Sequence, residues 1–63
     1  MQVFSSTSLR TNSNAAYKAV EIEGAAKINH RDRGGMILIS AEKLQKVLES
    51  TTQREVFIQE LQA

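Results

Sequence analysis

The sequence predicts a mixed α+β (α/β) domain in the order β-α-β-β-α, closed by a short C-terminal helical tail. Three observations predict it. Apolar residues recur at helical spacing over 9–20 and again over 44–48. A strand-like stretch at 25–30 and an apolar run at 36–39 flank Arg31-Asp32-Arg33-Gly34-Gly35, the pattern of a hairpin. A brief apolar pair, Val3-Phe4, precedes the first helical pattern.

Residues 2–4 read as a short strand. Ser5, Ser6, Thr7 and Ser8 then supply hydroxyls able to accept from the free N–H groups of a first helical turn. A helix over 7–23 follows, with Leu9, Ala16, Tyr17, Val20 and Ala19 as its apolar stripe. Asn12-Ser13-Asn14 interrupts that stripe. Gly24 is placed to end the helix as a residue free to take positive φ. Along 25–30, Ala26, Ile28 and His30 fall on one face, and Lys27 and Asn29 on the other. Residues 31–35 form the turn, and 36–39 is short and apolar enough for a buried strand. Ser40 is an N-cap for a helix over 41–49 with Leu44, Val47 and Leu48 as its stripe. Ser50, Thr51 and Thr52 break that helix, and Thr52 with Glu55 matches a capping box that starts the tail helix.

A chain of 63 residues permits one domain, read as a body over 1–50 and a tail segment over 51–63. At that size folding hides only about 60% of the surface of the unfolded chain, so a lone monomer is marginal. Disulfides, a metal or oligomerisation are the usual remedies. The chain has no cysteine and a single histidine, His30, too few ligands for zinc. Elimination leaves an obligate homodimer. The net charge of +1 hides a local basic cluster, Lys27, Arg31 and Arg33, opposed there only by Asp32. Screening limits each charge to roughly 8–10 Å, so a local patch acts on its own. No stretch has signal-peptide character or the roughly 20 apolar residues of a membrane span. The expectation is a soluble, cytoplasmic protein without membrane contact.

No catalytic, metal or cofactor site is expected. His30 is not accompanied by a nucleophile and an orienting group. Glu21 and Glu23 stand two apart on a helix and point in different directions. Gly34-Gly35 lacks the lysine and further glycines of a phosphate-binding loop.

Two segments carry chemistry suited to DNA. Around the first helix, Arg10 and Asn12 are the side-chain types that bond bidentately to guanine and adenine, and hydroxyls such as Thr7 suit phosphate. At the hairpin tip, Asn29, His30, Arg31 and Arg33 combine base-reading and phosphate-binding groups. The alternative for each segment is an ordinary solvated polar surface, with His30 tucked against the hairpin and without a contact role. In the tail, Phe57, Ile58 and Leu61, with Val56 near them, form an apolar stripe too short to bury itself. That stripe either enters a partner's groove or folds back on its own domain or dimer mate.

Taken in order, these features resemble the Phd/YefM family of type II toxin–antitoxin systems. The resemblance covers residues 1–50. It rests on Val3-Phe4-Ser5-Ser6-Thr7-Ser8-Leu9-Arg10, with Arg10 and Asn12 in an R-x-N arrangement. It rests further on the block running from Ala26-Lys27-Ile28-Asn29-His30-Arg31-Asp32-Arg33-Gly34-Gly35 through Met36-Ile37-Leu38-Ile39-Ser40-Ala41-Glu42-Lys43-Leu44. The resemblance implies dimers that bind operator DNA through the first helix and the hairpin, acting as a transcription repressor of their own operon. It implies a C-terminal segment that binds a cognate toxin, commonly a RelE/YoeB-type ribonuclease or a Doc-type kinase, with higher oligomers on DNA or with toxin. Two other functions fit the same residues. One is an orphan dimeric DNA-binding regulator without a toxin; the other is a dimeric module that binds only proteins.

Overall fold

The computed structural model describes residues 1–62, and Ala63, the last residue of the tail segment, lies outside the described residues. Strand β1 spans Gln2–Ser5, and helices α1 and α2 span Ser6–Thr11 and Ser13–Glu23. The hairpin strands are β2, Ala25–His30, and β3, Gly34–Ile39; helices α3, Ala41–Glu49, and α4, Thr51–Gln62, complete the chain. The three strands form one mixed sheet in the order β1-β2-β3, with β1 parallel and β3 antiparallel to the central β2.

Where one helix over 7–23 was expected there are two. Asn12 stands between them in a non-helical conformation, φ −145° and ψ 71°. The Asn12 N–H closes α1 on the Ser8 carbonyl at 2.8 Å, and the Thr11 hydroxyl donates back to the Thr7 and Ser8 carbonyls at 3.0 and 3.4 Å. Short polar side chains compete for backbone groups in this way, and a run of them ends a helix. The apolar stripe holds in part. Ala16 and Ala19 are the buried residues of α2, whereas Tyr17 is 53% exposed. Gly24 ends α2 at φ +90°, its N–H donating to the Val20 carbonyl at 2.7 Å.

The sheet register puts Phe4, Ile28 and Met36 in one row and Val3, Lys27 and Ile37 in the next. Paired residues share a face, so Ala26 and Ile28 lie on one face of β2 with Phe4. The core consists of Ala16, Ala19, Ala25, Ala26, Ile28 and Val47. Alanine on both α2 and β2 lets helix and strand approach closely.

Strand β3 begins at Gly34 rather than Met36, so the turn shrinks to Arg31, Asp32 and Arg33. A left-handed residue after a short turn is a standard hairpin device, and Gly34 supplies it at φ +79°. The expected burial of this strand does not hold: Met36 is exposed and 37–39 are half-buried. It is an edge strand, with β2 on one side only.

Helix α3 begins on the Ser40 cap, whose Oγ accepts from the Lys43 N–H at 3.0 Å. Val47 is its buried residue, and Leu44 and Leu48 of the expected stripe are exposed. Only Ser50 interrupts the chain between α3 and α4. Its Oγ accepts from the Gln53 N–H at 3.3 Å, so Ser50 rather than the Thr52–Glu55 pair caps the tail helix. No helix of the described residues is long and apolar enough to cross a membrane.

Candidate nucleic-acid interface

The parallel pairing of β1 with β2 places Ser5 beside Asn29. Helix α1 starts at the next residue, Ser6, and the hairpin turn starts two residues after Asn29. The start of α1 and the tip of the hairpin therefore occupy one end of the sheet. The two segments singled out in the sequence, separated by the whole of α2, become neighbours through strand register.

The side chains at this end are held to different degrees. Ser5 caps α1, its Oγ accepting from the Ser8 N–H at 3.0 Å and donating to Ser8 Oγ at 3.0 Å. Among the hydroxyls at 5–8 that the sequence offers as caps, Ser5 is thus the one that caps α1. Thr7 is exposed, with its carbonyl taken by Thr11. Arg10 is exposed in the last turn of α1. Asn12 is exposed at the α1–α2 junction and makes no side-chain capping bond. Arg10 and Asn12 therefore do not project from one continuous helix; their relative direction is set by the kink between them.

At the tip, His30 tucks against the hairpin, and it does so in a bracing role that the residue pattern does not mark. Its Nδ1 accepts from the Asp32 N–H at 3.0 Å and the Arg33 N–H at 3.1 Å. A nitrogen that accepts carries no proton, so the ring's own N–H is at Nε2. The ring braces the turn that displays Arg31 and Arg33, and only its Nε2 side is left for a ligand. Replacing His30 with alanine removes both bonds and is expected to lower stability by roughly 0.5–1.5 kcal/mol. Amide exchange at Asp32 and Arg33 would rise, and His30→Asn, which keeps an acceptor suited to turns, would restore part of the protection. Unchanged exchange at both amides in His30→Ala would show that the brace is inconsequential.

Arg10, Arg31 and Arg33 are exposed and make no ion pair among the described residues, where the recorded pair is Lys46–Glu42 on α3. Lys27 belongs with them. A Cβ at Gly35 would stand 3.4 Å from Lys27 Cε and 3.8 Å from Asn29 Oδ1, so both side chains lean over the glycine. Lys27 was counted in the basic cluster but not among the candidate contacts. The signal for it was present: it pairs with the strand just beyond a Gly-Gly that leaves room for a long side chain.

The tail residues are placed apart from this end. Phe57 is half-buried, with the Lys43 ammonium 5.9 Å from its ring centroid. Val56, Ile58 and Leu61 are exposed. At about 100° per residue, Phe57, Ile58 and Leu61 share one side of α4 and Val56 lies off it. Arg54, unnoticed in the sequence, donates from Nε to the Val47 carbonyl at 3.4 Å and from an Nη to the Leu48 carbonyl at 2.9 Å. It satisfies carbonyls that the end of α3 leaves open and holds α4 against α3. Nothing in the residue pattern around position 54 marks that reach.

No family model matches the chain, and no curated protein and no solved structure matches it either.

Proposed function

We propose that the chain is a cytoplasmic, DNA-binding antitoxin of the Phd/YefM type. It acts as a homodimer that represses its own operon through operator DNA and holds a cognate toxin, a RelE/YoeB-type ribonuclease or a Doc-type kinase, through α4. The observation that carries the DNA reading is the Ser5–Asn29 register. It gathers α1 and a braced, glycine-relieved basic tip at one end of the sheet, with three arginines that make no ion pair among the described residues. Free guanidinium groups on a held backbone suit a polyanion, because the backbone is already ordered and only the side chains remain to be fixed on binding. The support for the toxin reading is narrower: Ile58 and Leu61 are exposed on α4, while Phe57 is engaged by Lys43.

Fluorescence anisotropy with DNA from upstream of the chain's own gene tests the DNA reading. Arg10→Ala is expected to cost about 1–3 kcal/mol on the preferred sequence and to relax discrimination against a scrambled duplex. Arg31→Ala and Arg33→Ala are expected to weaken both duplexes alike and each to reduce the salt slope by about 1. Weak binding without salt dependence or sequence preference would overturn this reading in favour of a module that binds only proteins. Co-purification with a small protein encoded beside it tests the toxin reading. DNA binding without such a partner would make the chain an orphan regulator.

A further inference from the structure

The turn at the hairpin tip hangs on one ring nitrogen. Asp32 and Arg33 both donate their N–H groups to His30 Nδ1, at 3.0 and 3.1 Å. Among the described residues neither N–H has a backbone acceptor. His30 itself is held, half-buried at the end of β2 and paired with Gly34. Of the protonation forms of imidazole, only one can brace the turn. With its proton at Nε2 the ring accepts at Nδ1; with a proton at Nδ1, or with both nitrogens protonated, Nδ1 is a donor. A proton there would face two N–H groups at hydrogen-bond distance. The ring must then swing away, and both amides turn to water. A neutral ring goes with a held turn, and an imidazolium with a loosened one.

Few charged groups surround the ring. Arg31 and Arg33 flank it in the turn, with Asp32 between them. Strand β3 presents Gly34 and Gly35 opposite, and β1 ends in Ser5, so neither strand brings a charge. Helix α1 brings Arg10 alone. The ionisable residues of α2, from Tyr17 to Glu23, run towards Gly24, which leads into the far end of β2. Helix α3 leaves β3 after Ile39, which pairs with Ala25 at that same far end. Lys27 lies on the opposite face of β2 from His30. His30 is also the chain's single histidine, and histidine is the side-chain type that changes charge between about pH 5 and 8. Alpha-amino groups titrate near the top of that range, but Met1 precedes Gln2, which pairs with Ala26, well away from the Ser5–Asn29 end. A response of the tip to pH in this window therefore has one source.

We infer that His30 is a positioning residue that couples DNA reading to protonation: the neutral ring holds the turn that sets Arg31 and Arg33 against phosphates, and protonation releases that turn while adding a positive charge to it. This rests on the DNA part of the proposed function and says how that site is regulated. Phosphate contacts carry no sequence information themselves, but they fix the register in which other side chains meet the bases. Releasing the turn therefore costs discrimination. The added charge acts in the other direction on affinity, because it attracts any duplex. At lower pH the protein binds DNA less selectively rather than merely less tightly.

Two readouts on the full chain test the coupling. In an NMR titration from about pH 8 to about pH 5, the amide protons of Asp32 and Arg33 are expected to shift with the same midpoint as the ring protons of His30. The amides of Gly24 and Ser40, bonded to backbone carbonyls at the far end, are expected to stay in place. Ring and tip amides that titrate apart would overturn the inference. Fluorescence anisotropy over the same range compares DNA from upstream of the chain's own gene with a scrambled duplex. The ratio of the two affinities is expected to fall by roughly threefold or more as the pH is lowered, the scale of one lost hydrogen bond, while the salt dependence on the scrambled duplex steepens. His30→Asn keeps an acceptor and does not titrate, so its ratio should be constant with pH. His30→Ala should show the low ratio at every pH. A constant ratio in the wild-type chain, or an equal fall in His30→Asn, sinks the coupling and leaves the DNA reading intact. If neither duplex binds at any pH while the tip amides follow the ring, the DNA reading fails and the coupling with it, whereas the proton-operated turn stands.

Discussion

Ile28→Ala is expected to abolish the cooperative unfolding transition of the domain, leaving a broad, weakly sigmoidal urea profile by far-UV circular dichroism. Ile28 lies at the centre of the sheet, 6% exposed, with Phe4 and Met36 as its cross-strand neighbours. Four of the other five core residues are alanines, which bring little apolar area of their own. Truncating a buried isoleucine to alanine costs about 2–5 kcal/mol, depending on how far the surroundings collapse. Met36 is flexible and able to move inward, which keeps the cost below the top of that range. A loss of about 3 kcal/mol is still most of what a single core supplies in a domain below 70–80 residues. Ile28→Val, at about 0.5–1.5 kcal/mol, should retain a cooperative transition with a lower midpoint. A sharp transition in Ile28→Ala, with its midpoint within experimental error of wild type, would mean that stability resides elsewhere, in the interface between copies.

That dependence on one residue explains which parts of the fold were legible in the sequence. Elements signalled by local chemistry were readable: the Ser40 cap, the Gly24 stop, and the hairpin around Arg31–Gly35 all act within a few residues of where they are written. Burial was legible only in part. Ala16, Ala19 and Val47 of the expected helical stripes are buried, whereas Tyr17, Leu44 and Leu48 of the same stripes are exposed. Periodicity marks an apolar side of a helix without saying whether the chain itself or another molecule covers it. The same limit applies to β3, whose apolar run looked like a central strand and is an edge. The split at Asn12 was visible as an interruption, but the choice between a weakened helix and two helices depends on backbone competition that a stripe does not encode.

The candidate interface divides along the same line. Its residue types were readable because arginine and asparagine can bond bidentately to base edges, although the same types also make an ordinary solvated surface. Their assembly was not, because it follows from the pairing of Ser5 with Asn29, a contact between strands separated by two helices. The braces were hidden for a different reason. His30 and Arg54 serve backbone groups of their own neighbourhood, and in a sequence such residues are indistinguishable from side chains free to meet a ligand.

Gly24→Val should be the most damaging substitution at a position with no side chain to lose, lowering stability by about 2–3 kcal/mol. Two costs combine. At φ +90° an L side chain is strained, by about 1–2 kcal/mol in the left-handed region and more for a β-branched residue. The new Cβ would also stand 2.9 Å from Lys43 Cδ and 3.0 Å from its Cγ. The lysine stem must then move, and its ammonium is the group lying over Phe57. Gly24 thus joins three events: it ends α2, its carbonyl accepts the Ser40 N–H at 2.9 Å to seat α3, and its missing Cβ lets Lys43 pass across to α4. The costs separate in a double-mutant cycle of Gly24→Ala with Lys43→Ala. Backbone strain persists in the Lys43→Ala background, whereas the crowding disappears, so Gly24→Ala should cost less there than in the wild-type chain. Gly24→Asn, whose side chain tolerates the left-handed region, should recover part of the backbone loss but not the crowding. If Gly24→Ala costs the same in both backgrounds, the Lys43 stem does not crowd the new Cβ, and the whole cost lies in the backbone.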